Sequence, residues 1–172
     1  MGIKRAKAKW GYTWITNMKP PFKLQIDPND PEEYEHRLRL AQEHLEEARK
    51  AFRAEALVAA AHEAQLAIEN AAKSIIAMFK PPSWTHNPAP ELIELVRTRS
   101  ELLSGLEEYL KKLASIVEEV APHHALTSYG DIRRMVTPVE IYKREVVKDM
   151  LVKAEEAVRI ARKVLREVLS QR

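Results

Sequence analysis

Residues 55–79 read EALVAAAHEAQLAIENAAKSIIAMF. Apolar side chains recur in this stretch at steps of three and four, as they do on one face of an α-helix. The many alanines allow a neighbouring helix to approach closely. Proline then follows at positions 81 and 82, and proline disfavours the α conformation in the residue before it. The stretch therefore predicts a closely packed helix over 55–79 that ends at the prolines.

Four other segments carry helical signals. The first offers Asp30 as N-cap and Pro31 in the first turn, and the last opens with TPVE at 137–140, a capping box with proline in its first position. Residues 123–137 show no helical period, so an irregular loop is expected there. No glycine or proline separates the first two helices, so a single long helix stays open on sequence alone. The predicted helices cover residues 31–53, 55–79, 90–103, 105–120 and about thirty residues from 137.

These segments predict an all-α fold, an antiparallel up-and-down bundle of about five helices. The bundle is expected over 29–172, and 1–28 form an extended N-terminal arm. The chain contains no cysteine, which excludes disulfides and thiolate metal sites. No apolar run is long enough to span a bilayer, and no secretory signal is present, so we expect a cytoplasmic protein. The excess of glutamate over asparagine and glutamine leans towards a thermophile.

The arm joins basic side chains to flat aromatic rings and contains no acidic residue over 1–26. Lysine and arginine contact phosphates, and aromatic rings stack on bases, as in proteins that bind single-stranded nucleic acid. The alternative is an arm whose tryptophans pack on the bundle while its lysines stay in water. The residues that predict contact with RNA are Lys4, Arg5, Lys7, Lys9, Trp10 and Trp14.

A second candidate for RNA or nucleotide binding lies in the late loop. Arg133 and Arg134 offer bidentate guanidinium contacts to a phosphate, and Tyr129 offers a stacking face. The alternative is an exposed loop with two solvated charges and a tyrosine packed on the bundle.

Several short motifs resemble one family when they are taken in order. They are AQLAIENAAKSII at 64–76, THN at 85–87, LTSYGD at 126–131, PVEIY at 138–142 and AEEA at 154–157. Over residues 34–169 the chain resembles an archaeal-type member of the HEPN family, the higher eukaryote and prokaryote nucleotide-binding helical domains. The resemblance implies a helical bundle that forms a homodimer. It also implies a small nucleotidyltransferase as partner, often as toxin and antitoxin.

The resemblance further implies a metal-independent ribonuclease, which uses an arginine and a histidine a few residues apart in a late helix. The last histidine here is His124, so none follows Arg133 or Arg134. The spacing does occur between Arg39 and His44, but in the first helix. The weak catalytic candidates are therefore His123, His124 and Arg133, and the chain leans away from being an enzyme.

The remaining polar candidates have structural explanations beside the functional ones. His123 and His124, near Asp131, are candidates for metal or acid–base chemistry, but adjacent histidines usually point apart, and a place at a helix C-terminus would explain them. We expect His86 to tie its loop to the bundle, with Thr85 or Asn87 capping the next helix. Gln65 and Glu69, one helical turn apart, either face a groove or satisfy each other in the core. No metal or cofactor is expected.

The leading hypothesis is a non-catalytic HEPN-type protein that contacts RNA, a nucleotide or a ribonucleoprotein. A nucleotidyltransferase partner is part of that hypothesis. The first alternative is a toxin-type ribonuclease of the same family with a rearranged active site. The second alternative is a structural adaptor between proteins without a nucleic-acid role.

Overall fold

The computed structural model describes residues 33–171. The part of the chain that it describes is helical, and an isolated β-bridge is its one extended pairing. The predicted arm and the cap at Asp30 lie outside these residues. No helix among residues 33–171 has the length and apolar content needed to cross a membrane. The helices are α1 (Glu33–Arg53), α2 (Leu57–Ala77), α3 (Ala89–Thr98), α4 (Glu107–Val120), α5 (His123–Tyr129), α6 (Pro138–Ile141) and α7 (Arg144–Ser170).

Helix α2 is the centre of the bundle and packs against each of the other six helices. Its strong helix formers and its lack of glycine and proline explain the 21-residue length. Small side chains let α1 and α7 approach on two sides. The all-α bundle predicted from the apolar periodicity is confirmed. The alanines of α2 with no exposed surface are Ala60, Ala61, Ala64, Ala67, Ala71 and Ala72.

Helices α1 and α2 are separate, so the single long helix left open by the sequence is wrong. Glu55 adopts a left-handed conformation with φ of 57°. The N–H of Ala56 donates to the carbonyl of Ala51 at 2.9 Å, and the N–H of Glu55 donates to that of Phe52 at 3.2 Å. These two bonds form a Schellman motif, which normally has glycine at its left-handed position. The helix break is therefore made by backbone hydrogen bonds at a residue without a glycine signal.

The predicted last helix is interrupted near its start. The capping box is present, because the N–H of Thr137 donates to Glu140 Oε2 at 2.8 Å, but α6 ends at Ile141. Tyr142 and Lys143 leave the helical conformation, and α7 begins at Arg144. The Tyr142 ring is buried, and its hydroxyl lies 2.8 Å from Nδ1 of His123. Burial of this ring and its hydrogen bond accompany the break.

The segment 123–137 is more ordered than predicted. It contains α5, a buried Thr127, and a bridge between Asp131 and Val136. His123 and His124 open α5, so their expected place at a helix C-terminus is wrong. Helix α3 ends at Thr98, earlier than predicted, and α4 begins two residues later than predicted.

We predict that Ala71→Leu destabilises the bundle by about 1–3 kcal/mol, because Ala71 is fully buried and extra methylenes overpack a close helix contact. Ala59→Leu is the matched control, since Ala59 is exposed on the same helix. Urea unfolding followed by circular dichroism measures both. Equal stabilities of the two variants would contradict the close packing of α2.

Candidate functional site

A row of polar side chains runs along the largely apolar helix α2. Gln65, Glu69 and Lys73 are spaced by four residues and therefore lie on one face. Lys73 Nζ donates to Glu69 Oε1 at 2.8 Å, and Gln65 Nε2 donates to Glu69 Oε2 at 2.9 Å. All three side chains are buried. Of the two alternatives left open for Gln65 and Glu69, the pair that satisfies each other in the core is the one observed, and Lys73 completes it.

Glu69 is ionised in this surrounding. Burial alone would raise the pKa of its carboxyl, but hydrogen bonds from Lys73, Gln65 and His86 outweigh burial and hold the pKa below its ordinary value. An ionised carboxylate in the core requires such partners, because an unpaired buried charge is strongly destabilising. The lysine makes the buried pair neutral overall.

His86 reaches this carboxylate from the loop between α2 and α3. Its Nδ1 lies 3.0 Å from Glu69 Oε2, and about half of its side chain is exposed (52%). The loop is held locally as well. Thr85 Oγ1 accepts from the N–H of Asn87 at 3.0 Å, and Asn87 Oδ1 accepts from the N–H of Ala89 at 3.2 Å. The expected tie between His86 and the bundle is confirmed, and Asn87 contributes to the start of α3.

His124 enters the same place from α5. Its Nδ1 lies 3.3 Å from Gln65 Oε1, and its ring stacks on that of His86 with centroids 3.4 Å apart and planes 13° apart. Burial, and then the nearby His86, lower the pKa of His124. The hydrogen-bond partners assign the position of the ring proton in His86 and His124. Gln65 Oε1 and the Glu69 carboxylate are acceptors, so both histidines donate through Nδ1.

A third histidine, His62, lies on α2 one turn before Gln65 and close to the pair of His86 and His124. Its ring centroid lies 6.0 Å from that of His124. Its Nδ1 lies 3.1 Å from Thr127 Oγ1, and this hydroxyl donates to the carbonyl of His123 at 2.9 Å. The hydroxyl therefore accepts from His62. We call His62, Gln65, Glu69, Lys73, His86 and His124 the histidine cluster.

Three members of the histidine cluster offer ligand atoms that lie close together. One atom each from Glu69, His86 and His124 falls within 4.8 Å of the other two. Imidazole and carboxylate are the ligands of zinc and similar metals. The imidazole N–H groups can also donate hydrogen bonds to a bound ligand, whereas the ionised carboxylate can only accept them.

No hydrogen bond or ion pair among the described residues joins the side chains of the weak catalytic candidates His123, His124 and Arg133 to one another. His123 turns away from His124 towards the buried hydroxyl of Tyr142, as expected for adjacent histidines. Burial lowers the pKa of His123 and raises that of Tyr142 to about 12. Among the described residues, no hydrogen bond or ion pair links the Arg133 side chain to either histidine.

The late-loop candidates Tyr129, Arg133 and Arg134 lie close to one another in the chain and are exposed. Tyr129 is the last residue of α5, the helix that carries His124, and its side chain is 74% exposed. The two arginines follow in the turn closed by the bridge between Asp131 and Val136. The part of the alternative in which Tyr129 packs on the bundle is wrong.

Two other groups of residues singled out in the sequence are not part of the histidine cluster. Arg39 and His44 on α1 do not form a pair: His44 Nδ1 lies 2.7 Å from Glu63 Oε2, and Arg39 contacts Glu43 at 3.9 Å. The arm residues predicted to contact RNA lie outside the described residues. They stay a prediction from the sequence: Lys4, Arg5, Lys7, Lys9, Trp10 and Trp14.

Sequence reasoning missed His62 and Lys73 as members of a site. A signal existed, because positions 62, 65, 69 and 73 follow helical spacing and are all polar on a largely apolar helix. The spacing of Gln65 and Glu69 extends to His62 on one side and to Lys73 on the other. The contact of His86 with His124 joins a loop to α5, and no local pattern indicates it.

These features define a class of protein: a helical bundle with a polar, histidine-containing cluster built on its central helix. The chain matches the family model described as HEPN domain over residues 34–171. It therefore belongs to the HEPN domain family. No curated protein and no solved structure gives a significant match.

We predict that Lys73→Met destabilises the chain by about 3–5 kcal/mol, since Glu69 would keep a buried charge without its counterion. Adding Glu69→Gln should recover a large part of the loss, because the buried charge is then removed as well. Urea unfolding of both variants checks this. If the free energy of unfolding of Lys73→Met alone lay within about 0.5 kcal/mol of that of the natural chain, the pair would not be buried as described.

Proposed function

We propose that this HEPN-family protein binds RNA without cutting it, and that it contacts phosphates and bases through Tyr129, Arg133 and Arg134. The observation that carries the proposal is the turn closed by the bridge between Asp131 and Val136. It carries two exposed arginines that form no ion pair within residues 33–171, and it follows the exposed Tyr129 at the end of α5. Family membership supports the same direction. The arm over 1–28 is proposed to add further basic and aromatic contacts.

The turn is built to a fixed shape by its backbone. Gly130 adopts φ of 69°, and a Cβ at this position would lie 2.3 Å from the carbonyl oxygen of Val136. Only glycine fits there. Asp131 Oδ1 accepts from the N–H groups of Arg133 at 3.1 Å and Arg134 at 3.2 Å. The backbone that carries both arginines is therefore ordered before any ligand binds, which lowers the entropy cost of binding.

The side chains of this turn are free to meet a partner. Neither Arg133 nor Arg134 forms an ion pair with any residue from 33 to 171, and both are exposed. Guanidinium groups bind phosphates in bidentate fashion and also stack on bases. Tyr129 lies a few residues away, and aromatic stacking on a single-stranded base contributes about 1–3 kcal/mol. This composition favours single-stranded RNA over a duplex.

We predict that the double substitution Arg133→Ala/Arg134→Ala weakens binding of single-stranded RNA by about a hundredfold or more, because charge-assisted hydrogen bonds contribute roughly 1.5–3 kcal/mol each and two are lost. The slope of log affinity against log salt should fall by about 1.4, which is 0.7 for each lost phosphate contact. Fluorescence anisotropy with labelled RNA at several salt concentrations measures both.

The matched control is Arg162→Ala/Arg166→Ala on α7. These two arginines are also exposed and form no ion pair within the described chain, so the charge change is the same. Equal losses of RNA affinity in the two double variants would show that net charge alone causes the effect. They would refute the turn as the binding site. In a chain that lacks residues 1–18, weaker binding is expected from the arm, and unchanged binding would remove the arm from the proposal.

The alternatives give different results in the same assays. A ribonuclease of this family would cut RNA in EDTA and lose that activity when His123, His124 or Arg133 is replaced. A structural adaptor would bind no RNA at all. The homodimer and the nucleotidyltransferase partner stay proposals, and light scattering of the purified chain, alone and with a candidate partner, tests both. We expect binding without cleavage.

A further inference from the structure

We propose that Glu69, His86 and His124 form a binding site for a divalent transition metal of the zinc type. The three residues come from α2, the loop before α3, and α5, so the fold rather than one sequence motif brings them together. This goes beyond the proposed RNA binding and does not depend on it.

The distances suit a metal. With metal–ligand bonds of about 2.0–2.2 Å, tetrahedral ligands lie about 3.4 Å from one another. His86 Nδ1 and Glu69 Oε2 are 3.0 Å apart, and one atom from each of Glu69, His86 and His124 falls within 4.8 Å of the others. Two histidines and one carboxylate are a known ligand set for zinc and for ferrous iron. A metal would take the place of the Nδ1 proton that His86 now donates to Glu69, and His124 would ligate through Nε2 because its Nδ1 donates to Gln65.

The surroundings are those of a supported ligand site. Ligating carboxylates in proteins are themselves hydrogen-bonded by outer residues. Lys73 occupies Oε1 of Glu69 at 2.8 Å, which leaves Oε2 directed to His86. Gln65 holds both Glu69 and His124, at 2.9 Å and 3.3 Å. The carboxylate and one imidazole are thus oriented by a single amide on the same helix.

Binding requires one movement. The rings of His86 and His124 are stacked nearly parallel, and a metal cannot lie in the planes of two parallel rings at once. One ring must therefore turn out of the stack. His86 is the ring that can move, because it lies in a loop with about half of its side chain exposed, and the same exposure gives the ion a path from solvent.

The experiment uses the untagged full chain after removal of metals. Zn²⁺ titration in competition with a coloured chelator should show one equivalent bound per chain. Co²⁺ should give the intense visible absorption of a four-coordinate ion. His86→Ala and His124→Ala should each weaken binding at least by the roughly 10–100-fold that loss of an outer-shell partner produces.

His44→Ala is the matched control. His44 pairs with the carboxylate of Glu63 at 2.7 Å, but the described residues place no third donor beside them. This variant should bind Zn²⁺ as the natural chain does. Circular dichroism checks the fold of each variant, and the exposed position of His86 keeps His86→Ala informative even if His124→Ala unfolds.

Absence of stoichiometric binding would overturn the proposal, and so would equal effects of His86→Ala and His44→Ala. RNA binding is measured separately in EDTA, so failure of the metal site and failure of RNA binding are distinguishable. Preference for Fe²⁺ over Zn²⁺, measured without oxygen, would retain the ligand set and change the ion.

Discussion

The buried ion pair between Glu69 and Lys73 is the constraint that shapes the rest of the molecule. Two charges in the most buried helix are tolerated only when every lone pair and proton finds a partner. Lys73 takes one oxygen of Glu69, while Gln65 and His86 take the other. Each buried side-chain polar atom among residues 33–171 has at least one hydrogen bond, so neither charge of the pair is left without a partner.

That compensation also positions elements that are distant in sequence. His86 brings the loop after α2 back onto the helix, and His124 does the same for α5 through Gln65. The alanine surfaces of α2 hold α1 and α7 by close packing, which is not directional. Hydrogen bonds are directional, so the polar row fixes the loop and α5 where apolar contact alone would leave their orientation open.

The sequence was sufficient for the features that repeat along a helix. Apolar periodicity predicted the long helices, and the match of residues 34–171 to the HEPN family model agrees with the resemblance found from short motifs. It was insufficient where tertiary contacts override local signals. The helix break at Glu55 occurs without a glycine. Tyr142 interrupts a strong helical pattern where its ring is buried. The candidate site was the part least predictable from the sequence, because the stacking of His86 on His124 joins residues that share no motif.

A purely structural role for the histidine cluster leaves one point without explanation. Replacement of a buried ion pair by well-packed apolar residues is often neutral or stabilising, so stability alone does not favour Glu69 and Lys73 over two leucines. Violations of local rules in natural proteins concentrate at functional sites. In this chain the buried pair of Glu69 and Lys73 lies beside three histidines, of which His86 is half exposed. It also lies near α5, whose last residue is the exposed Tyr129. His124 of the polar core and the exposed Tyr129 therefore lie on one short helix, α5, which leads directly into the turn that carries Arg133 and Arg134.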